Sequence, residues 1–152
     1  MKELEYPFDA AYIIKKRKSL KKALLADGTS RIRKKIAVLG GSTTSDIVKT
    51  LELFLLDAGI EPEFYESEYA QYFQDAMFPD EPLLSFKPDI VFIHTTNRNV
   101  TDWPEMTDTT EQIGEKLHTE INRFTAMWKS IAEKFHCPII QNNFEMPLYR
   151  LL

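Results

Sequence analysis

Cysteine occurs once in 152 residues, at Cys137, so no intrachain disulfide can form. It stands beside Pro138 at the start of an apolar run and reads as a small buried hydrophobe. No apolar stretch approaches the ~20 residues that a bilayer-spanning helix needs. The longest patches, near Leu53–Leu56 and Ile90–Ile93, are only core-sized. The N-terminus lacks the positive-then-apolar order of a signal peptide, which places the chain in the cytoplasm. A Walker loop needs a lysine directly before its Ser/Thr, and a dinucleotide fold needs G-x-G-x-x-G; neither motif occurs. No internal repeat and no low-complexity linker interrupts the chain. No cofactor is expected within the chain.

What is there begins with charge. The net charge of −4 conceals an asymmetry. Residues 1–35 carry eleven Lys/Arg against four Asp/Glu, and the remainder carries eight against nineteen. The run "KKRKSLKK" (Lys15–Lys22) reads either as the solvated face of an amphipathic helix or as a patch for an acidic partner. Nucleic acid fits poorly, because most of the chain is acidic. The length suits one domain with one real core. It divides into a basic helical segment over residues 1–30 and an α/β domain over residues 31–152.

Asp9 can cap a first helix over about residues 10–26, with Ile13, Leu20, Leu24 and Leu25 on its apolar side. "DGTS" (Asp27–Ser30) breaks it, and "KIAVLG" (Lys35–Gly40) reads as a short buried strand. Ile47, Leu51, Phe54, Leu55 and Ala58 then recur at helical spacing, and Gly59 supplies a stop. Glu61–Ser67 can form a second strand. Tyr69, Tyr72, Phe73, Ala76 and Met77 suggest a helix that Pro79 and Pro82 end. "DIVFIHT" (Asp89–Thr95) is the clearest strand, an apolar run with β-branched residues. Ile113, Leu117, Ile121, Phe124, Trp128, Ile131 and Phe135 fall at gaps of 4, 4, 3, 4, 3 and 4, the stripe of a long helix packed on a sheet. "CPIIQNNF" (Cys137–Phe144) makes a fourth strand.

Strands alternating with helices imply a three-layer α/β/α, flavodoxin-like fold with a parallel sheet. Such sheets bind ligands at the carboxyl ends of their strands. Three polar clusters lie there: Gly40–Thr44, His94–Asn99 and Gln141–Glu145. Gly40 and Gly41 let the backbone turn sharply, and Ser42 follows at the mouth of the sheet. Three readings of that corner stand. Ser42 can be a nucleophile, with its own amide and nearby polar groups as an oxyanion hole. Ser42, Thr43 and Thr44 can line an anion pocket at a helix start, for a phosphate or phosphopantetheine group, with Arg98 a further anion contact. Or the three hydroxyls merely cap the helix. Of three histidines, His118 falls on the long helix and His136 at its end, leaving His94 as the candidate base near Ser42. Asn142 and Asn143 close the fourth strand, as a turn or as part of the rim.

The segments "VLGGSTT" and "KPDIVFIHTTN" resemble the SGNH hydrolases, which carry a Gly-x-Ser nucleophile turn after strand one and a Gly-x-Asn turn after strand three. Gly40 and Ser42 match the first block, with Gly41 in place of its aspartate. Asn97 matches the oxyanion asparagine, with Thr95 and Arg98 in place of the flanking glycine and aspartate. The glycine expected after strand two has no counterpart in "YESEYAQYF" (Tyr65–Phe73), and the Asp-x-x-His that supplies acid and base has none either.

From about residue 15 onward, the basic leading helix, "IAVLGGSTTSDIVKTLELFLLDAGIEPEFYESEYAQYFQDA" and "PIIQNNFEMPLYRLL" resemble the N-terminal, SGNH-like domain of FkbH-like proteins. In that family the domain precedes a haloacid-dehalogenase-type phosphatase domain with an Asp-x-Asp motif and magnesium. Many members load a glyceryl unit from a phosphorylated three-carbon donor onto an acyl carrier protein. The resemblance implies a fragment of a longer protein, truncated after strand four. Its partners would be the carrier protein, the downstream phosphatase domain or a small-molecule ligand, without nucleic acid or membrane. The magnesium would belong to the missing domain.

Overall fold

The computed structural model describes residues 1–146; the apolar ending expected from "EMPLYRLL" lies outside the described residues from Pro147 onward. After a 3-10 turn at Lys2–Leu4 come α1 (Ala10–Ala26), β1 (Ile32–Gly40), α2 (Ser45–Asp57), β2 (Ile60–Glu66), α3 (Tyr72–Met77) and α4 (Glu81–Phe86). Then follow β3 (Ile90–His94), a 3-10 turn at Asn97–Asn99, α5 (Thr110–Phe135) and β4 (Ile139–Gln141). The four strands form one parallel sheet in the order β2-β1-β3-β4. Among the described residues no helix is long and apolar enough to cross a membrane.

Alternation along β1 divides the core in two. Ala37 and Leu39 join Val91 and Ile93 against α3, α4 and α5, where Tyr72, Leu83, Phe124, Met127 and Ile131 are buried. On the α1/α2 side, Leu53 and Leu56 of α2 pack with Ile13, Leu20 and Leu24 of α1 and with Leu4. Helices thus flank the sheet on both faces, the three-layer flavodoxin-like arrangement that the alternating pattern implies.

Local chemistry fixes the element ends. Asp9 accepts from the Tyr12 amide at 3.0 Å and starts α1 where expected. Thr109 and Gln112 form a capping box at α5. Gly59 ends α2 at φ +80°, in the left-handed region that glycine enters at low cost. Burial pushes the Cys137 thiol up, as suits a small apolar residue.

The fourth strand, expected over Cys137–Phe144, pairs only over Ile139–Gln141, and four further details differ from the sequence reading. Leu25 is exposed, because α1 packs chiefly on α2, through the narrow stripe of Ile13, Leu20 and Leu24. In α2 the fully buried positions are Leu53 and Leu56, while Ile47, Leu51 and Leu55 are half-buried and Ala58 is exposed. Tyr69 lies outside α3 and is exposed, and Pro82 sits in the first turn of α4, where its missing N–H costs nothing. In α5 the buried face is Glu120, Phe124, Met127 and Ile131, turned by about 45° from the apolar stripe at 100° per residue. Ile113, Leu117, Ile121 and Trp128 therefore keep 40 to 61% of their surface. With Trp103, Pro104, Phe124 and Phe144 they line a groove of about 540 Å³.

Arg31 joins the basic segment to the sheet. Its guanidinium, almost wholly buried, donates to the Leu24 carbonyl of α1 at 2.7 Å and to the Leu56 carbonyl of α2 at 2.8 Å. It also reaches the Thr29 carbonyl and the Asp27 carboxylate. One cation thus satisfies the open carbonyls of two helix C-termini, where positive charge is favoured. Arg31→Met should destabilise the chain by about 2–4 kcal/mol by leaving the Leu24 carbonyl without this donor and the Leu56 carbonyl with the Gly59 amide as its partner. Arg31→Lys should restore less than half of this, since an ammonium cannot span the fork. Urea unfolding of the three proteins measures both.

Candidate functional site

The three polar clusters meet on one rim. Gly40 and His94 are register partners at the carboxyl ends of β1 and β3, and the Gly41 amide donates to the His94 carbonyl at 2.7 Å. Beyond β3 the chain enters the Asn97–Asn99 turn, capped by Thr96 and Asn99. The Asn99 side chain accepts from the Thr96 amide at 2.8 Å and donates to the Gly41 carbonyl at 3.0 Å. It fills the space beside Gly41, where a Cβ would come within 2.4 Å of its Oδ1. The absence of a side chain at Gly41 is therefore a packing requirement. The second glycine of the corner admits the asparagine that ties the two loops together.

Asn142 completes the rim beyond β4. Its amide group pairs with the Thr95 backbone in both directions, accepting from the amide at 2.9 Å and donating to the carbonyl at 2.7 Å. This extends the β3–β4 ladder by one side chain. Thr95 is fully buried, and its hydroxyl accepts from Gln141, which in turn accepts from the Trp128 indole at 2.7 Å. Asn97 is buried and faces the exit of β4. Its backbone amide donates to the Glu145 carboxylate at 3.1 Å and its side chain to the Glu145 carbonyl at 3.3 Å.

At the β1 corner the hydroxyls divide. Thr44 is buried against Gly40, Thr43 is exposed and Ser42 is half-buried. Thr44 precedes α2 without a side-chain capping bond. Among the described residues the Ser42 hydroxyl has no hydrogen-bond partner. The His94 ring lies on the same strand face as Phe92, 6.2 Å from it, and makes no side-chain hydrogen bond among the described residues. Arg98 is exposed, with its backbone amide on Thr96.

Two further residues belong to the rim. Ser67, buried just past β2, accepts from the Gly40 amide at 3.0 Å. Near it, Ala70 takes φ 60°, a glycine-like conformation in the segment where the SGNH pattern places a glycine. Glu120 and Arg123 of α5 brace the loop after β3 from below. Arg123 donates to the Asn99 carbonyl at 2.6 Å, to the Tyr72 hydroxyl at 3.0 Å and to the Glu120 carboxylate at 2.8 Å. Glu120 in turn accepts from the amide and the hydroxyl of Thr101. Burial alone would raise the Glu120 carboxyl, but the Arg123 guanidinium and the Thr101 donors outweigh it and hold the group below the usual glutamate range. Burial opposes the charge on Arg123 too, and the Glu120 and Tyr72 bonds hold it above its ordinary value. The only signal for this pair in the sequence is Glu-x-x-Arg on the edge of an apolar stripe, which helical spacing puts on one face.

Among the described residues no group of three or more His, Cys, Asp or Glu side chains could hold a metal ion. No buried side-chain nitrogen or oxygen there lacks a partner.

Gly41→Ala should destabilise the chain by about 1–3 kcal/mol by displacing Asn99, and the same change in an Asn99→Ala background should cost clearly less. A double-mutant cycle by chemical denaturation measures this coupling. Because the Glu120 carboxyl lies low in the folded chain, its contribution is complete above the ordinary glutamate pKa and drains away as pH falls through that range. Stability measured from pH 7 to pH 3 should accordingly fall less steeply in Glu120→Gln than in the parent chain.

No family model matches the chain, and no curated protein matches it in sequence. Among solved structures it is similar to the N-terminal part of the protein BF1531 from Bacteroides fragilis, which contains a phosphatase domain and was crystallised with Mg. The TM-score is 0.66 at 19% identity, over 86% of this chain and 33% of that one. The chain thus spans about a third of the neighbour's length, and at this identity the likeness is one of fold.

Proposed function

We propose that this chain is the SGNH-like module of a phosphatase-containing protein that loads a phosphorylated three-carbon unit onto an acyl carrier protein. In this reading the module binds and does not catalyse. The observation that carries it is the state of Ser42. Among the described residues neither a histidine nor a carboxylate is bonded to its hydroxyl, at the rim where β1 ends. A serine without a general base is a poor nucleophile, yet it remains a good hydrogen-bond donor and acceptor. Asn97, the candidate oxyanion donor, spends its side chain on Glu145. The exposed Thr43 and Arg98 flank the same rim, with the polar character a phosphate or phosphopantetheine group would need. Gly40, Gly41, Thr44 and Asn142 shape that rim from beneath. The fold shared with the N-terminal part of a phosphatase-domain protein is compatible with this placement. Magnesium would serve the phosphatase domain, and residues 1–30 would stand as a basic segment before the α/β domain of residues 31–152.

An SGNH-type esterase with Ser42 as nucleophile, Asn97 as oxyanion donor and His94 as base is the competing reading. Ester hydrolysis by the chain and by Ser42→Ala separates the two. Equal rates, at background, are expected, together with about a three- to tenfold weaker hold of Ser42→Ala on phosphopantetheine from the loss of one hydrogen bond. A parent rate well above that of Ser42→Ala would overturn the binding reading.

A further inference from the structure

The outer face of α1 carries cations that the fold does not use. Lys15, Lys18 and Lys22 recur at steps of three and four along the helix and are all exposed, opposite the buried stripe of Ile13, Leu20 and Leu24. Lys49 of α2 borders the same side, and a groove of about 540 Å³ runs between it and Lys15–Lys18. The nearby acids are already engaged: Asp46 by Arg17, Glu52 by Lys21, and Asp57 by the N-terminal amine. Among the described residues none of these four lysines has an acidic partner. Like charges three and four apart on a helix repel one another, so the face carries a standing penalty with no return inside the fold. Two exposed apolar residues frame it, Ile14 at 59% and Leu25 at 53% of their surface.

We propose that this face is a docking surface for an acidic protein, with Lys15, Lys18, Lys22 and Lys49 meeting carboxylates and Ile14 and Leu25 supplying apolar contact. A protein fits better than the other polyanions. α1 has already buried its apolar stripe against α2, and Ile14 and Leu25 alone make too small an apolar face to sink into a lipid headgroup layer. Beyond residue 35 the chain carries eight Lys/Arg against nineteen Asp/Glu, which repels a long nucleic acid. The one arginine of the run, whose fork suits phosphates, is held by Asp46. A compact acidic patch meets only the basic face.

The choice of probe rests on the carrier-loading reading: the whole chain is titrated with an acidic acyl carrier protein, and in parallel with polyglutamate, anionic vesicles and duplex DNA. Affinity for the carrier should fall about tenfold or more between about 50 and about 200 mM salt. The triple variant Lys15→Glu, Lys18→Glu, Lys22→Glu should lose about fiftyfold or more, while the control Lys129→Glu on α5 should change little. Circular dichroism confirms that the triple variant folds. Should it not, Lys15→Gln, Lys18→Gln, Lys22→Gln replaces it, with a smaller loss expected. Carrier binding that ignores both salt and the triple variant would overturn the docking surface and leave the carrier reading intact. Polyglutamate held through α1 with no carrier binding would sustain the surface and remove that reading. No acidic protein or polypeptide held, or vesicles or DNA held as tightly as the carrier, would overturn the surface.

Discussion

The rim at the carboxyl ends of β1 and β3 depends on Asn99. One amide group caps its own turn at Thr96 and bonds the Gly41 carbonyl across the gap between β1 and β3. Its backbone carbonyl meanwhile receives Arg123 from beneath. Two loops from different strands and one helix converge on a single residue. Such a junction leaves each loop little freedom of its own, because moving one breaks bonds belonging to the others. The corner after β1 is shaped less by its glycines' flexibility than by what they let approach.

The fold was largely legible because its signals are local in sequence. Apolar β-branched runs, helical spacing and the stops at Asp27–Ser30 and Gly59 all act within a few residues, and they repeat. The gathering of Gly40–Thr44, His94–Asn99 and Gln141–Glu145 follows from parallel topology alone. What escaped was decided by tertiary contact. The rotation of α5 follows from Glu120 and Arg123, whose polar groups are drawn inward by Thr101, Asn99 and Tyr72. Hydrophobic periodicity cannot register a buried ion pair. Leu25 escaped in the opposite sense, being apolar on a helix with too narrow a partner to cover it. At the rim, Ser42 and Asn97 were visible by position. Asn99 and Ser67 were not, since each acts on backbone far away in sequence.

Polar groups are treated differently on the two sides of the sheet. Toward α5, charge is taken inside and fully paired, with the Glu120–Arg123 pair among aromatic rings that include Phe73 and Phe124. Toward α1 and α2, charge stays outside, and the interior is aliphatic apart from the guanidinium of Arg31. The first side builds a rigid platform under the rim, and the second offers a surface. Between them the sheet carries the rim at its carboxyl end, so a molecule at Ser42 would meet well-braced backbone rather than a mobile lid.

Arg31 has a consequence for how the molecule opens. Because one side chain closes the ends of both α1 and α2, neither helix can fray from its C-terminus without exposing the other's carbonyls. The two helices and the start of β1 should therefore open as one cooperative unit, with matched amide-exchange rates, even though α1 lies outermost. A protease would find the outer helix as hard to enter as the layer beneath it.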